Sequence, residues 1–255
     1  MVSANSTDSP KENKLEHPCF PQPADASIRV WRYVDLVKLI WLLDNKKLYL
    51  SRLDLLNDPH EGSTPALLAA MRDQQLRQFG ATDLVTQLPQ INQRSRKSLF
   101  VNCWHSGNSE SEAMWRLYCP DNSGVAIQTT YQKLVQSINS DRFLYIGIIK
   151  YHDYEREGFP LNNAFYPVMH KRISFAHEHE VRLVKTLSEY WGSESDKAPP
   201  GITVEWPVES NVEAIYVNPY ASQYYYEVVK SIVRRIVPSL EDRVYWPRMR
   251  AAPVY

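Results

Sequence analysis

Residues 28–33 form two alternating sets, with Ile28, Val30 and Arg32 in one and Arg29, Trp31 and Tyr33 in the other. This alternation predicts a β-strand whose two faces carry these two sets. Apolar residues then recur at helical spacing over residues 36–43, and Asp35 stands where a helix N-cap is expected. Residues 48–51 return to a strand pattern. The opening of the patterned region therefore predicts a strand–helix–strand unit.

The same reasoning predicts an α+β fold for the rest of the chain, in which a mixed or split β-sheet is flanked by helices. We expect strands at residues 99–104, 125–129, 143–151, 181–185, 202–208 and 214–217. We expect helices at residues 65–79, 109–119, 132–138, 164–173 and 221–236, with a capping box at residues 109–112. Residues 81–97 are polar and weakly periodic, which favours a loop with some helix.

The ends and the cysteines suggest how the chain is organised. Residues 1–26 are polar and rich in proline, so we expect a disordered or loosely docked extension before a single domain over residues 27–255. No apolar run approaches the roughly 18 residues of a membrane span. The chain has three cysteines, a small and odd number that does not suit a disulfide framework. This favours a reducing, cytoplasmic location.

Charge and glycine content exclude some kinds of ligand recognition. The 29 basic residues balance the 29 acidic ones, so neither bulk nucleic-acid binding nor membrane-surface binding is expected. The chain has only eight glycines and contains neither of the two common glycine-rich phosphate-binding motifs. A phosphate would have to be bound by side chains.

Side chains of that kind stand at the ends of the first two predicted strands. Arg32 and Tyr33 end the first strand, and Tyr49 and Ser51 end the second. A guanidinium suits a phosphate and a tyrosine ring suits a base, so this group could bind a nucleotide. The alternative is an Arg32 that faces the interior and pairs with a carboxylate such as Asp58 or Glu61.

The turn over residues 57–62 concentrates polar groups, among them Asp58, His60 and Glu61. Such groups can orient a substrate hydroxyl, although Asp and Asn in turns more often bond their own backbone. No metal-ligand spacing is present, and we expect no structural metal.

Two later positions carry further candidate chemistry. Trp104 and His105 end a strand, and Glu180 and Arg182 project from one face of another. Cys103 and His105 are an unconvincing nucleophile and base, because nothing in the sequence activates the thiol. The alternative to a functional role for Glu180 is a simple ion pair with Lys171 or Arg172.

The ordered motifs resemble the bacterial family known as domain of unknown function 2971 over about residues 31–185. The motifs are Trp31-Arg32-Tyr33, Leu48-Tyr49-Leu50-Ser51, Asn57-Asp58-Pro59-His60-Glu61-Gly62, Cys103-Trp104-His105, Glu112-Ala113-Met114-Trp115 with Tyr118, Gly124-Val125-Ala126-Ile127, and Phe175 through Glu180-Val181-Arg182. The resemblance implies that the chain is a member of this family, but it implies no particular reaction.

A looser resemblance is to the ADP-ribosyltransferase fold, whose members carry an Arg or His on the first strand and a Glu at the start of a late strand. By order, Arg32, Tyr49 or Ser51, and Glu180 correspond to these positions. The Ser-Thr-Ser strand and the initial His of that fold are absent. The resemblance implies that Arg32 and Glu180 are catalytic, with Glu180 stabilising positive charge on the ribose of NAD.

Three functions follow as hypotheses. The leading one is an NAD-using transferase or glycohydrolase in which NAD is a substrate rather than a tightly bound cofactor, and in which a protein is a second substrate. Its substrate contacts would be Tyr33, Tyr49, Ser51, Asp58, Glu61, Trp104, His105 and Arg182. The alternatives are a metal-dependent phosphodiester hydrolase using Asp58, Glu61 and Glu112, and a non-catalytic module that binds a nucleotide or a protein.

Overall fold

The computed structural model describes residues 16–138 and 140–247 and confirms a mixed α+β fold with an open sheet. The strands are β1 (Arg29–Val34), β2 (Lys47–Arg52), β3 (Leu99–Ser106), β4 (Val125–Thr130), β5 (Leu144–Ile148), β6 (Lys150–His152), β7 (His170–Arg172), β8 (Glu180–Thr186), β9 (Gly201–Glu205), β10 (Ala214–Val217) and β11 (Val244–Tyr245). The helices are α1 (Leu36–Asn45), α2 (Ala66–Gln78), α3 (Thr82–Ser95), α4 (Glu112–Tyr118), α5 (Tyr131–Ile138), α6 (Val208–Asn211) and α7 (Gln223–Ile236).

The main sheet divides at β3, which pairs with three other strands. Along one edge β3 pairs with β8, and β5 lies beyond β8. On the other edge, β1 pairs with the end of β3 through His105, whereas β2 pairs with its beginning through Val101. Residues 102–104 of β3 have no strand partner on that edge. We call this gap between β1 and β2 the fork.

The two faces of the main sheet bury different material. We call the face of the sheet that carries the side chain of Trp104 the upper face, and the opposite one the lower face. The upper face carries the largest apolar cluster, in which Trp104 packs against Trp206 and to which α1 and α7 contribute side chains. The lower face carries two smaller apolar clusters, one around Phe20 and Met169 and the other around Trp115 of α4. Buried charged side chains occupy the space between these two clusters.

Several details of secondary structure differ from the sequence-based predictions; the strand expected at residues 143–151, for example, is divided into β5 and β6. Residues 82–95, where we expected a loop with some helix, form the continuous helix α3, even though Pro89 lies inside it and none of its residues is buried. The helix expected at residues 164–173 does not form, because the end of this segment pairs with β6 as strand β7. The N-cap of α4 is Ser111 instead of Ser109, and its hydroxyl accepts from the amide of Met114.

The first described residues pack against the sheet. Residues 1–15 of the predicted extension lie outside the described part of the chain, but Cys19 and Phe20 are only 1% exposed. Phe20 stacks on Tyr145, and the amide of Ile148 donates to the carbonyl of Pro21 at 2.8 Å. This part is therefore packed, in contrast to the loose docking we expected. The predicted domain, residues 27–255, stays a prediction.

Membrane insertion was not expected from the sequence. No helix in the described part of the chain combines the length and apolar content needed to cross a bilayer.

Gly124 should be required where α4 leads into β4. Its φ is +101°, and an added Cβ would lie 2.8 Å from the carbonyl oxygen of Val34 and 2.6 Å from Sγ of Cys119. We expect Gly124→Ala to lower the free energy of unfolding by more than about 2 kcal/mol, measured by urea denaturation. Gly80→Ala is the matched control, because Gly80 has φ +75° but open space around it, so the expected loss is only about 1 kcal/mol. Equal losses in the two variants would contradict this explanation.

Candidate functional site

A buried ion network fills the space between the two apolar clusters of the lower face, with Arg182 at its centre. Arg182 is fully buried, and its Nε and Nη2 donate to the two oxygens of Glu180 at 2.6 and 3.0 Å. Its Nη1 donates to Glu61 at 2.9 Å and to the carbonyl of Val168 at 2.7 Å. The guanidinium thus joins β8 to the turn at residues 57–62 and to the segment that precedes β7.

Lys171 of β7 is the second cation of the network. Its Nζ lies 2.9 Å from Glu61, 2.5 Å from Glu178 and 3.2 Å from Glu180. Burial by itself would raise the pKa of Glu180, but Arg182 and Lys171 outweigh that effect and hold this pKa well below its usual range. The carboxylate of Glu180 is therefore ionised and fully engaged.

Glu178 is the least compensated member of the network. Three carboxylates share two cations, and one oxygen of Glu178 bonds Lys171 while the other accepts only from the hydroxyl of Tyr118, at 3.3 Å. Tyr118 is 51% exposed, so this pair borders the protein surface. Burial, followed by the charge of Glu178, raises the pKa of the Tyr118 hydroxyl and keeps it protonated.

His105 lies beside this pair in a fixed tautomer. Its Nδ1 is 2.7 Å from the carbonyl of Glu178, and because a carbonyl only accepts, Nδ1 carries the proton. Burial lowers the pKa of His105 below its ordinary value, and the neighbouring His179 and His177 lower it further. The imidazole is neutral at pH 7, with its lone pair on Nε2.

Arg32 reaches the fork from β1 and has no carboxylate partner among the described residues. Its Nη1 donates to the carbonyl of Cys103 at 3.1 Å, and its guanidinium lies 6.0 Å from the centre of the Trp104 ring. Burial lowers the pKa of Arg32, although Cys103 and Tyr118 are close enough to oppose that shift. Burying a cation without a counter-ion is unfavourable, so an anion bound beside Arg32 would be stabilised by it.

The other side of the fork belongs to β2. The side-chain amide of Asn102 donates to the carbonyl of Tyr49 at 2.8 Å, which holds β2 beside the unpaired part of β3. Tyr49 is 39% exposed, and its ring lies over Gly201 of β9, where an added Cβ would come within 2.2 Å of the ring. Ser51 is half-buried opposite Gly201. The ring of Tyr49 therefore leans toward β9, on the side of β2 away from the fork.

The structure does not bring Arg32 and Glu180 together as we expected. Trp31 pairs with His105, and His105 pairs with Glu180, so these three side chains start on the lower face. Arg32 follows Trp31 directly and therefore starts from the upper face. Glu180 is only 4% exposed and is saturated by its two cations. This geometry supports the simple alternative, an ion pair with Lys171, and not a catalytic carboxylate.

Several predicted substrate contacts are buried and already bonded. The hydroxyl of Tyr33 accepts from the amide of Ser111, and the indole of Trp104 donates to Asn102. Arg182, as described above, is enclosed in the network. None of these side chains has a surface free for a ligand.

The turn at residues 57–62 contributes to the lower face but does not meet Arg32. Asp58 accepts from Arg172 at 2.9 Å, and Glu61 belongs to the ion network. Both predicted pairings of these carboxylates with Arg32 are therefore wrong.

The carboxylates of the hydrolase hypothesis do not assemble either. Glu112 pairs with Arg116 and accepts from Tyr220, while Asp58 and Glu61 pair with different cations. In the described part of the chain, no three His, Cys, Asp or Glu side chains are placed to hold a metal ion together. Cys103 is also unsuited to nucleophilic attack, because burial raises its pKa, as does the nearby Glu180.

Fold and site together define an α+β protein with a forked mixed sheet and a buried ion network beside the fork. Residues 114–183 match the family model described as "Protein of unknown function (DUF2971)", which confirms the resemblance to that family. The matched segment runs from α4 to β8 and contains Tyr118, Lys171, Glu178, Glu180 and Arg182. No curated protein and no solved structure matches the chain.

The ion network predicts that Glu180 is needed for folding. Glu180→Gln leaves Arg182 and Lys171 buried with one carboxylate fewer, so we expect the free energy of unfolding to fall by about 3 kcal/mol. Glu213→Gln is the matched control, because Glu213 forms a surface pair with Lys133 and should change stability by less than about 1 kcal/mol. Urea denaturation of both variants measures the difference. A loss from Glu180→Gln as small as that of the control would show that the network is not a stabilising core.

Proposed function

We propose that this protein binds a nucleotide at the fork, with NAD as the first ligand to test. The observation that carries the proposal is the unpaired guanidinium of Arg32, which is half-buried between β1 and β3. An arginine bonds a phosphate through two parallel N–H groups, and a phosphate would supply the missing counter-charge.

The surroundings of Arg32 suit the rest of a nucleotide. Tyr118 lies within electrostatic range of Arg32, whereas Tyr49 lies on the opposite arm of the fork with its ring toward β9. Both tyrosines expose a substantial part of their side chains. An exposed ring offers a π-face on which an adenine or nicotinamide ring stacks.

Glu178 is the carboxylate best placed for chemistry at this site. When the bond between ribose C1′ and the nicotinamide nitrogen breaks, its electron pair leaves with nicotinamide and positive charge develops on the ribose. Water or a nucleophile of a target protein then attacks C1′ and releases a proton. A carboxylate near C1′ stabilises that charge. Glu178 shares the lower face with Glu180, but it accepts from Tyr118, which borders the surface and lies within electrostatic range of Arg32, whereas Glu180 is enclosed.

Loss of Arg32 should abolish most of the nucleotide affinity. We expect Arg32→Gln to weaken NAD binding at least about tenfold in a calorimetric titration, since a charge-assisted hydrogen bond contributes about 1.5–3 kcal/mol. Arg29→Gln is the matched control on the same strand, where Arg29 is exposed and bonds the carbonyl of Asn108. We expect that variant to bind within about twofold of the wild type. Equal weakening in both variants, or wild-type protein that binds no NAD, AMP or ADP-ribose, would contradict the proposal.

Cleavage of NAD is tested separately from binding. We expect Glu178→Gln to reduce nicotinamide release by about a hundredfold while NAD affinity stays within a few fold, because the carboxylate acts mainly on the developing charge. Glu213→Gln controls for the loss of an acidic residue elsewhere. If the wild-type protein binds NAD but releases no nicotinamide, it is a non-catalytic nucleotide-binding module. Equal release by wild type and Glu178→Gln would remove Glu178 from the chemistry.

A further inference from the structure

A cavity lined by polar residues lies away from the fork, between the turn that follows Glu61 and the two helices α2 and α3. Its volume is about 220 Å³. At roughly 30 Å³ per water molecule, this corresponds to about seven waters, which is room for a phosphate or pyrophosphate but not for a dinucleotide. The cavity shares no lining residue with the fork.

The lining of this cavity is cationic and rich in hydrogen-bond donors. Arg72 of α2 and Arg96 at the end of α3 both line it, and no carboxylate does. The side chains of Asn92 and Gln93 line the same cavity, as does the hydroxyl residue Thr64. Amides and hydroxyls of this kind complete the hydrogen bonding of an anion whose charge is balanced by an arginine.

Arg96 is the residue that points to a missing ligand. It forms no ion pair within the described residues, and its Nε is buried without a hydrogen-bond partner. Arg72 differs, because its guanidinium donates to the carboxylate of Asp73. Leaving a buried donor of a charged group unsatisfied is costly, so an oxyanion that bonds Arg96 would remove that cost.

The local fold holds Arg96 against the turn. Gly62 has φ +68°, and a Cβ there would lie 3.6 Å from Cγ of Arg96 and 2.6 Å from Cδ2 of Leu53. The bare backbone of Gly62 therefore lets the stem of Arg96 and the side chain of Leu53 pack beside it. From this position Arg96 lines the cavity, with its Nε buried.

We propose that this cavity is a binding site for a small phosphate-bearing anion, held by Arg96 with Arg72, Asn92 and Gln93 around it. The planar guanidinium of Arg96 bonds two oxygens of the phosphate, and the side-chain amides bond the others. The site is independent of the fork, since it uses other elements and other arginines.

The test is a calorimetric titration of the full chain with inorganic phosphate, pyrophosphate and acetate. We expect pyrophosphate to bind wild type most tightly, and we expect Arg96→Gln to weaken it at least about tenfold. Arg94→Gln is the matched control, because Arg94 is exposed on the same helix and does not line the cavity. Repeating the titration in the Arg32→Gln background, which lacks the fork arginine, isolates the cavity: Arg96→Gln should weaken pyrophosphate binding there by the same factor as in the wild type.

If thermal melting shows that Arg96→Gln does not fold, Arg72→Gln provides a second variant. We expect Arg72→Gln to weaken pyrophosphate binding too. The proposal is overturned if wild type binds no anion, if Arg94→Gln weakens binding as much as the cavity variants, or if only Arg32→Gln weakens it. Acetate binding as tight as that of pyrophosphate would also overturn it, because it would indicate a carboxylate site.

Discussion

The guanidinium of Arg182 joins parts of the chain that are far apart in sequence, and the lower face of the sheet depends on that contact. It bonds Glu180 of its own strand, Glu61 of the turn before α2 and the carbonyl of Val168 before β7. Burying two cations and three carboxylates is unfavourable unless each finds partners. The network therefore tolerates few other positions for these segments, and it fixes where Lys171 and Glu178 lie.

The buried charges of this protein fall into two groups, those with internal counter-ions and those without. Glu180 and Glu61 each bond both Arg182 and Lys171, and this closed set of ion pairs suits a structural role. Arg32 at the fork and Arg96 at the cavity beside α2 and α3 have no ion pair among the described residues, and Arg96 also lines that cavity. An unsatisfied charge at an accessible place is the stronger indication of a ligand.

Parts of the fold followed directly from the sequence. The strand–helix–strand unit with its Asp35 cap was predicted because alternation, helical spacing and a capping residue agree there. Helix α3 was missed because it is polar, contains Pro89 and buries none of its residues. The helix expected at residues 164–173 was wrong because the end of that segment is held by pairing with β6, a contact that local pattern does not reveal.

The candidate site was predicted less well than the fold, for a physical reason. The sequence draws attention to Arg32, Glu180 and Arg182, but the grouping of such residues depends on strand register, and a shift of one position moves a side chain to the other face. Register places Glu180 with His105 and leaves Arg32 on the opposite face. The sequence does carry one signal of the network: Glu178, Glu180 and Arg182 alternate, with Lys171 shortly before them.

The central claim is that the guanidinium at the fork binds an external anion while the one in the network stays bound internally. Nuclear magnetic resonance of the arginine Nε–H groups tests this directly, with the Arg32 signal assigned by its absence from Arg32→Gln. On addition of saturating NAD, the account predicts that the Arg32 signal shifts and the Arg182 signal does not. A shift of the Arg182 signal with an unmoved Arg32 signal, or no shift in either, would contradict the account.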